Sequence, residues 1–358
     1  MLICLESETT GLKTAQTLNM CYKVKTDTEI KPKILEAPGA SPIAVPLDKK
    51  EQLRNFGNTV QNLEKRARSK YVTNQLTQKL IALDSPNKGR YVKSLSCICT
   101  ITHSNGKLTA KYCGYRWCMV CNRIRTAKYI SIYAPILETW SKSYMVTLTI
   151  PNCKADQLKD TIDLMNKTIR KITDVFRKRK LVFRAVRKLE VTYNDIRNDY
   201  HPHYHFIVEG EEQTVRLVQE WLKRLPQCSE NAQHIAEFNG DLREMFKYIT
   251  KLFTRDKETG KYKTVNVDAL DIILRTLHGR RTFQNYGFNL PEEIKEDEPM
   301  ELNESLSEGE LSNNGEPKEY VWYDSGWVNV DDGTILADYK ISADIQKLLK
   351  QSGLHDDS

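Results

Sequence analysis

The order of apolar patterns between residues 144 and 253 is the feature that most restricts the fold of this 358-residue chain. Four short runs have the composition of strands, at 144–150, 184–193, 203–208 and 233–238. Between them, apolar residues recur at spacings of three and four, which indicates helices at 158–175 and 215–225. The resulting order, β-α-β-β-α-β, predicts an α+β fold of the split βαβ (ferredoxin/RRM-like) type, an antiparallel sheet with helices on one face.

A third helical segment follows this unit and carries a reactive group. In the sequence LREMFKYITKLF, Glu244, Tyr248 and Lys251 are spaced i, i+4 and i+7, so they share one side of a helix. A tyrosine hydroxyl attacks a phosphodiester only when its proton is removed or its charge is stabilised by a metal or a cation. Lys251 is placed to supply such a cation, and Glu244 to accept a proton from a water or hydroxyl.

The sequence HPHYH predicts a metal site. His203 and His205 are two residues apart in an expected strand, so both imidazoles leave the same face of the sheet. If residues 194–199 form the hairpin turn, Glu190 lies across from them and completes a site of two histidines and one carboxylate. A solvent-exposed strand is the alternative, but three of the chain's seven histidines fall within these five residues.

A cysteine cluster upstream predicts a second, structural metal site. Cys113, Cys118 and Cys121 fall within nine residues, and Cys97 and Cys99 precede them. Thiolates at such spacing in a reducing compartment favour Zn²⁺ held by four sulfur ligands. Five cysteines are available for four positions, and the spacing does not decide between Cys97 and Cys99.

The charge distribution predicts a nucleic-acid partner. The formal net charge is +7, yet residues 291–317 contain ten acidic residues and one lysine, so the rest of the chain carries +16. A folded body this basic attracts a polyanion, and nine Lys/Arg fall within residues 170–188. The candidate contacts to DNA phosphates are Arg116, Arg123, Arg125, Lys178, Arg179 and Lys180.

Composition also suggests a location and a division into domains. The mean hydropathy is −0.56, and neither a membrane span nor a signal peptide is evident, so we expect a cytoplasmic protein without a membrane partner. The expected parts are an N-terminal extension with a flexible linker (1–85), a zinc-binding cysteine module (90–130), a split βαβ domain with the third helix (140–290), an acidic disordered linker (291–318) and a C-terminal appendage (319–358).

Three motifs, in order, resemble those of a known family. YMVTLTIPN (144–152), HPHYHFIV (201–208) and EMFKYITK (244–251) are similar to the motifs of the HUH replication initiators of rolling-circle plasmids, of the one-tyrosine kind. CGYRWCMVCNRIR (113–125) resembles the cysteine pattern of the same family, with Met119 where a proline is usual. The resemblance covers about residues 90–290.

This resemblance implies a mechanism and a set of partners. Tyr248 would attack a phosphate of the plasmid origin, in single-stranded or extruded hairpin form, and leave a 3′-hydroxyl for a DNA polymerase and a 5′-phosphotyrosine link. His203 and His205 would hold Mg²⁺ or Mn²⁺ against that phosphate, and Glu244 would activate water after one round. The sequence contains no nucleotide-binding P-loop, so unwinding would require a host helicase.

Two other functions fit the same residues. A transposase or a mobilisation relaxase would use the same metal and tyrosine on different DNA ends, although such enzymes often lack a partner like Glu244. A zinc-knuckle DNA-binding regulator would need neither Tyr248 nor His203. The sequence does not specify an oligomeric state.

Overall fold

A computed structural model describes residues 60–105, 107–246, 265–291, 298, 300–305, 316–338 and 343–354. The strands are β1 (Thr100–Ser104), β2 (Lys107–Tyr112), β3 (Ser143–Thr149), β4 (Ala185–Asn194), β5 (Asp199–Glu209), β6 (His234–Glu237), β7 (Phe283–Tyr286), β8 (Met300–Ser305), β9 (Lys318–Tyr323), β10 (Gly326–Asn329) and β11 (Ile335–Asp338). The α-helices are α1 (Val60–Ala82), α2 (Lys88–Ser94), α3 (Met119–Leu137), α4 (Leu158–Lys178), α5 (Glu211–Arg224), α6 (Leu242–Phe246), α7 (Val267–Leu277) and α8 (Ala343–Gln351).

The five-stranded sheet confirms the predicted α+β fold. Its strand order is β6-β3-β5-β4-β7, and every neighbouring pair is antiparallel. The first four strands, with α4 and α5 as the connections, reproduce the split βαβ order, in which the third strand, β5, lies between the first and the second. β7 is an addition at the outer edge of β4.

The face of this sheet that carries α4 and α5 holds the larger part of its core. Leu148, Leu189 and Phe206 are fully buried there against the helices. The apolar stripe of α4 follows the predicted spacing, but it ends on Phe176, since Val175 is only half-buried. Burying such a stripe is the main source of stability for an amphipathic helix.

The opposite face of the sheet is also covered, which the prediction of helices on one face did not include. Val186 and Ile207 are fully buried on this face. They pack with Tyr133 of α3 and with Met245 and Phe246 of α6. Every residue of β4 from 185 to 191 is buried. Burial along this strand is thus continuous instead of alternating, as expected for a strand that is covered on both faces.

The second sheet has six strands in the order β11-β10-β9-β1-β2-β8. Two expectations about the C-terminal part of the chain do not hold here. Residues 300–305, assigned to a disordered linker, form β8 and pair with β2, while β9 to β11, assigned to a separate appendage, continue the sheet from β1. The physical reason is that the β1–β2 hairpin has two open edges, and β8 and β9 satisfy their backbone groups.

Helix α1, within the predicted N-terminal extension, also belongs to this part of the fold. It buries Leu63, Leu76 and Leu80 in the same cluster as the cysteines and Trp327 of β10. The cysteine module is therefore built from three separate parts of the sequence. The first 59 residues of the extension, where the flexible linker is predicted, lie outside the described residues.

Helix α7 joins the two sheets. Leu270 and Leu274 pack into the cluster beneath the six-stranded sheet, whereas Ile273 and Leu277 pack into the core of the five-stranded one. Along the same helix, the carboxylate of Asp271 accepts hydrogen bonds that cross the junction. The donors are Tyr91 (2.5 Å) and Ser85 (2.6 Å), and Arg275 forms an ion pair with it (2.8 Å).

The described helices include none long and apolar enough to cross a membrane.

We predict that Trp327 is a structural residue of the cysteine module. Its side chain is fully buried, and the indole N–H donates to the carbonyl of Ile98 at 2.8 Å. Trp327→Ala should lower the free energy of unfolding by about 3–5 kcal/mol, the usual cost of a large core truncation. Urea denaturation followed by circular dichroism would measure this. Tyr323→Ala is the control, because Tyr323 is 76% exposed. An equally small loss of stability in both variants would show that Trp327 is not part of the core.

Candidate functional site

The β4–β5 hairpin brings together the three predicted metal ligands. Glu190 lies opposite His203 in the ladder, and Lys188 lies opposite His205. One donor atom from each of Glu190, His203 and His205 lies within 4.8 Å of the other two. Side chains along a strand alternate between the two faces of the sheet. This register therefore places the side chains of all three ligands on the face that also carries Ile207.

Hydrogen bonds orient both imidazoles. Nδ1 of His203 lies 3.0 Å from the carbonyl oxygen of His201, which can only accept, so Nδ1 carries the proton. Nδ1 of His205 lies 3.1 Å from the hydroxyl oxygen of Thr147, which can accept in the same way. In both rings Nε2 then keeps its lone pair for a metal, the arrangement typical of histidine ligands.

The carboxylate of Glu190 is held ionised in a buried position. Its residue exposure is 1%, and the Lys188 ammonium lies 2.8 Å from Oε2. Burial opposes ionisation, but the charge and the hydrogen bond of Lys188, together with His203 and His205, hold the pKa of Glu190 below its usual value. An ionised carboxylate and two neutral imidazoles are the ligand set expected for a divalent cation with open coordination positions.

Lys188 is a component of the site that the sequence interpretation placed elsewhere. Lys188 and Arg187 belong to the basic run at 170–188, which the sequence predicts to attract nucleic acid. Lys188 is, however, only 2% exposed and Arg187 only 3% exposed. Arg187 points to the other face, where it hydrogen-bonds Asn166 at 3.1 Å and lies over the ring of Tyr204. The i, i+2 spacing of Lys188 and Glu190 was the signal that could have placed Lys188 with the ligands.

Helix α6 approaches the same face of the sheet as the triad. Asp241 caps it by accepting a hydrogen bond from the backbone N–H of Arg243 at 2.9 Å. Thr126 of α3 donates to the carbonyl of Phe246 at 2.9 Å, which fixes the last described residue of the helix. The predicted nucleophile Tyr248, two residues further on, lies outside the described residues.

The partners expected for Tyr248 are also not described in full. Lys251 lies outside the described residues, and for Glu244 the structure describes the helical backbone but not the side chain. The roles of all three therefore stay predictions.

Four of the five candidate cysteines form a closed cluster. The Sγ–Sγ distances are 3.5 Å for Cys97–Cys121, 3.6 Å for Cys113–Cys121 and 3.5 Å for Cys97–Cys118. A tetrahedral zinc site with Zn–S bonds of 2.3 Å has sulfur–sulfur edges of about 3.8 Å, so the donor set fits zinc closely. Cys99 is not part of the cluster, because its Sγ contacts the carbonyl of Leu95 at 3.0 Å.

The backbone around the cluster stabilises thiolate charge. The N–H groups of Cys113 and Gly114 lie 3.4 Å and 3.3 Å from the sulfurs of Cys97 and Cys121. Hydrogen bonds from the other three thiols, Cys113 foremost, lower the pKa of Cys118. Gly114 has a φ of 72°, and a Cβ there would collide with the carbonyl of Glu298, so the knuckle requires glycine at this position.

Two of the predicted DNA contacts are structural instead. Arg116 is 4% exposed and donates to the carbonyls of Leu277 and Arg280 at 2.5 and 2.6 Å. Arg125 is equally buried and donates to Asn122 and to the carbonyl of Gly114. Their guanidinium groups are enclosed by protein, so the prediction that they bind phosphates is wrong. Arg116 instead connects the cysteine knuckle to the end of α7.

The remaining basic candidates are exposed. Arg123 lies on α3, where it donates to the carbonyl of Lys65 at 3.1 Å. Residues 178–180 are exposed at the end of α4, shortly before Arg184, whose carbonyl bonds the N–H of Glu209. Glu209 is six residues along β5 from His203, a separation of about 20 Å in a strand. Residues 178–180 therefore lie toward the opposite end of the sheet from the metal ligands.

We predict that the protein purifies with one structural zinc ion and that Cys97, not Cys99, is a ligand. Cys97→Ser should remove the zinc, because three thiolates cannot close the site, whereas Cys99→Ser should retain it. Metal content by mass spectrometry and thermal stability would be measured for both variants. Loss of zinc from Cys99→Ser alone would contradict the assignment.

Comparison with known proteins supports one family. Residues 106–224 match the family described as replication protein. The chain is 33% identical over 104 residues to the protein rep of Staphylococcus aureus and 31% identical over 104 residues to the protein rep of a Bacillus species. The aligned region is 28% of this chain. It is 45% of the Staphylococcus aureus protein and 34% of the Bacillus protein, so the chain spans less than half the length of each relative. No solved structure matches the chain. Residues 106–224, which include the triad and three of the clustered cysteines, are therefore the part of the chain that is similar to the replication protein family.

Proposed function

We propose that this protein initiates rolling-circle replication of a plasmid by cutting one strand at the origin through a 5′-phosphotyrosine intermediate. The observation that carries the proposal is the convergence of Glu190, His203 and His205 on the sheet face where α6 packs. The match of residues 106–224 to replication proteins supports it, as does the tyrosine motif that continues from α6.

The metal site would act on the scissile phosphate. A divalent cation, Mg²⁺ or Mn²⁺, would polarise that phosphate and stabilise negative charge on its oxygens. Glu190 and the two Nε2 atoms would hold it, and the hydrogen bonds from His203 and His205 to the His201 carbonyl and Thr147 would keep both rings in position.

Tyr248 would be the nucleophile. Its oxygen forms a bond to phosphorus as the bond from phosphorus to O3′ breaks. The tyrosine proton passes to a base or to solvent, and the released O3′ takes up a proton as a free 3′-hydroxyl. Lys251, three residues further along the sequence, would stabilise the phenolate, and Glu244 would activate the water or hydroxyl that resolves the final cut.

The protein would meet its DNA through surfaces of different kinds. The basic end of α4 would contact phosphates away from the cleavage point, which adds affinity and salt dependence without sequence specificity. A closed zinc cluster would keep the cysteine module rigid without taking part in the chemistry. The origin DNA, a host helicase and a DNA polymerase are the proposed partners, in the cytoplasm.

We predict that Tyr248→Phe abolishes cutting and covalent attachment. Wild-type protein with Mn²⁺ should nick single-stranded origin DNA and become linked to its 5′ end, visible as a shifted band in denaturing gels. Removing the nucleophilic oxygen should reduce nicking at least about a thousandfold. Tyr323→Phe is the matched control, because that tyrosine is exposed on β9.

His203→Ala tests the metal ligand in the same assay. It should lower nicking strongly at every Mn²⁺ concentration, while His278→Ala, at an exposed histidine that ends α7, should not. Wild-type protein that binds origin DNA but neither cuts it nor links to it would favour a DNA-binding regulator instead. Cutting restricted to transfer-origin or transposon ends would favour a relaxase or a transposase.

A further inference from the structure

We propose that Lys188 is a positioning residue that makes cation binding at the triad depend on a nucleic-acid phosphate. The inference rests on the proposed function, because it assigns a divalent cation and a phosphodiester to the same site. It follows from the contacts and the charge of the described residues around Glu190.

One carboxylate oxygen is shared between the lysine and the metal ligands. Oε2 of Glu190 lies 2.8 Å from Nζ of Lys188 and 3.6 Å from Nε2 of His205. The side chains of Lys188 and Glu190 are each 2% exposed, so little water screens this contact. Because Lys188 lies directly opposite His205 in the ladder, strand geometry fixes the ammonium beside the ligand group.

The charges of this group are balanced before any cation binds. The Glu190 carboxylate contributes −1, the Lys188 ammonium +1, and the two histidines are neutral when they act as ligands. Hard divalent cations are usually bound through one or more carboxylates together with substrate phosphates. Here the single carboxylate is already neutralised by a buried ammonium, so the net charge disfavours a bare cation.

A divalent cation gives this group an excess charge of +2, and a phosphodiester lowers the excess to +1. The phosphodiester also brings oxygen ligands for the open positions, so cation and phosphate should each increase the affinity for the other. A lysine that merely neutralised Glu190 would affect the stability of the fold, whereas Lys188 as proposed also sets how tightly the cation binds before DNA is present. The two roles are therefore separable by measuring binding.

The experiment measures Mn²⁺ affinity from the EPR signal of the free ion, with and without saturating oligo(dT). Full-length zinc-loaded protein with Tyr248→Phe is used, so that no strand is cut. The oligonucleotide should tighten Mn²⁺ binding about tenfold or more. With Lys188→Met added, Mn²⁺ should bind about tenfold tighter without DNA, so that cation binding no longer depends on the oligonucleotide.

Two further variants separate the possible explanations. Lys188→Gln keeps a hydrogen-bond donor but removes the charge, so it should behave like Lys188→Met, and it serves if the methionine variant does not fold. Lys107→Met removes an exposed lysine of β2, in the other sheet, and should leave Mn²⁺ binding unchanged with and without the oligonucleotide. Zinc content and thermal unfolding would confirm that each variant is folded.

The outcomes distinguish this inference from the proposed function. Equal Mn²⁺ affinity without DNA in the wild type and the Lys188 variants, or no tightening by oligo(dT) in the wild type, would overturn the role of Lys188 while leaving the nuclease proposal in place. If Mn²⁺ failed to bind with or without DNA, and His203→Ala made no difference, the metal site itself would be wrong, and the proposed function with it.

Discussion

The pairing of β4 with β5 is the constraint on which the site depends. Ten residue pairs, from Ala185 with Val208 to Asn194 with Asp199, fix this register. A shift by one residue would move His203 and His205 to the face covered by α4 and α5, where Phe206 and Tyr204 are now buried. The burial of apolar side chains on both faces therefore holds the metal ligands in place, because a one-residue shift would exchange the side chains of the two faces.

Buried charge has two different uses in this molecule. At the junction of the sheets, Arg116 and Asp271 bind backbone carbonyls and hydroxyls, and so fix how α7 lies against the cysteine module. In the triad, the Lys188–Glu190 pair lies where a ligand is expected to bind. Removing one partner of a buried charge usually costs about 3–5 kcal/mol of stability. We therefore expect the buried charges at both places to depend on the specific geometry of their partners.

Much of the five-stranded half was predictable because its information is local. The strand and helix order, the hairpin register and the convergence of Glu190 with two histidines follow from periodicity within residues 144–253. The choice of Cys97 over Cys99 was not readable, because either residue satisfies the spacing. A positively charged residue is usually exposed, and that general preference misplaced Arg116, Arg125 and Lys188, whose burial depends on how the helices and strands pack around them.

The pairing of β1 with β9 carries a consequence for biosynthesis. Thr100 pairs with Val321, so the six-stranded sheet closes across more than half of the polypeptide. On a ribosome, the clustered cysteines and the β1–β2 hairpin emerge long before the strands that cover the edges of that hairpin. Contacts of such high sequence separation form slowly, and open edges invite pairing with other chains. Chaperone protection of the nascent chain, and early capture of zinc by its thiols, would therefore matter most during this interval.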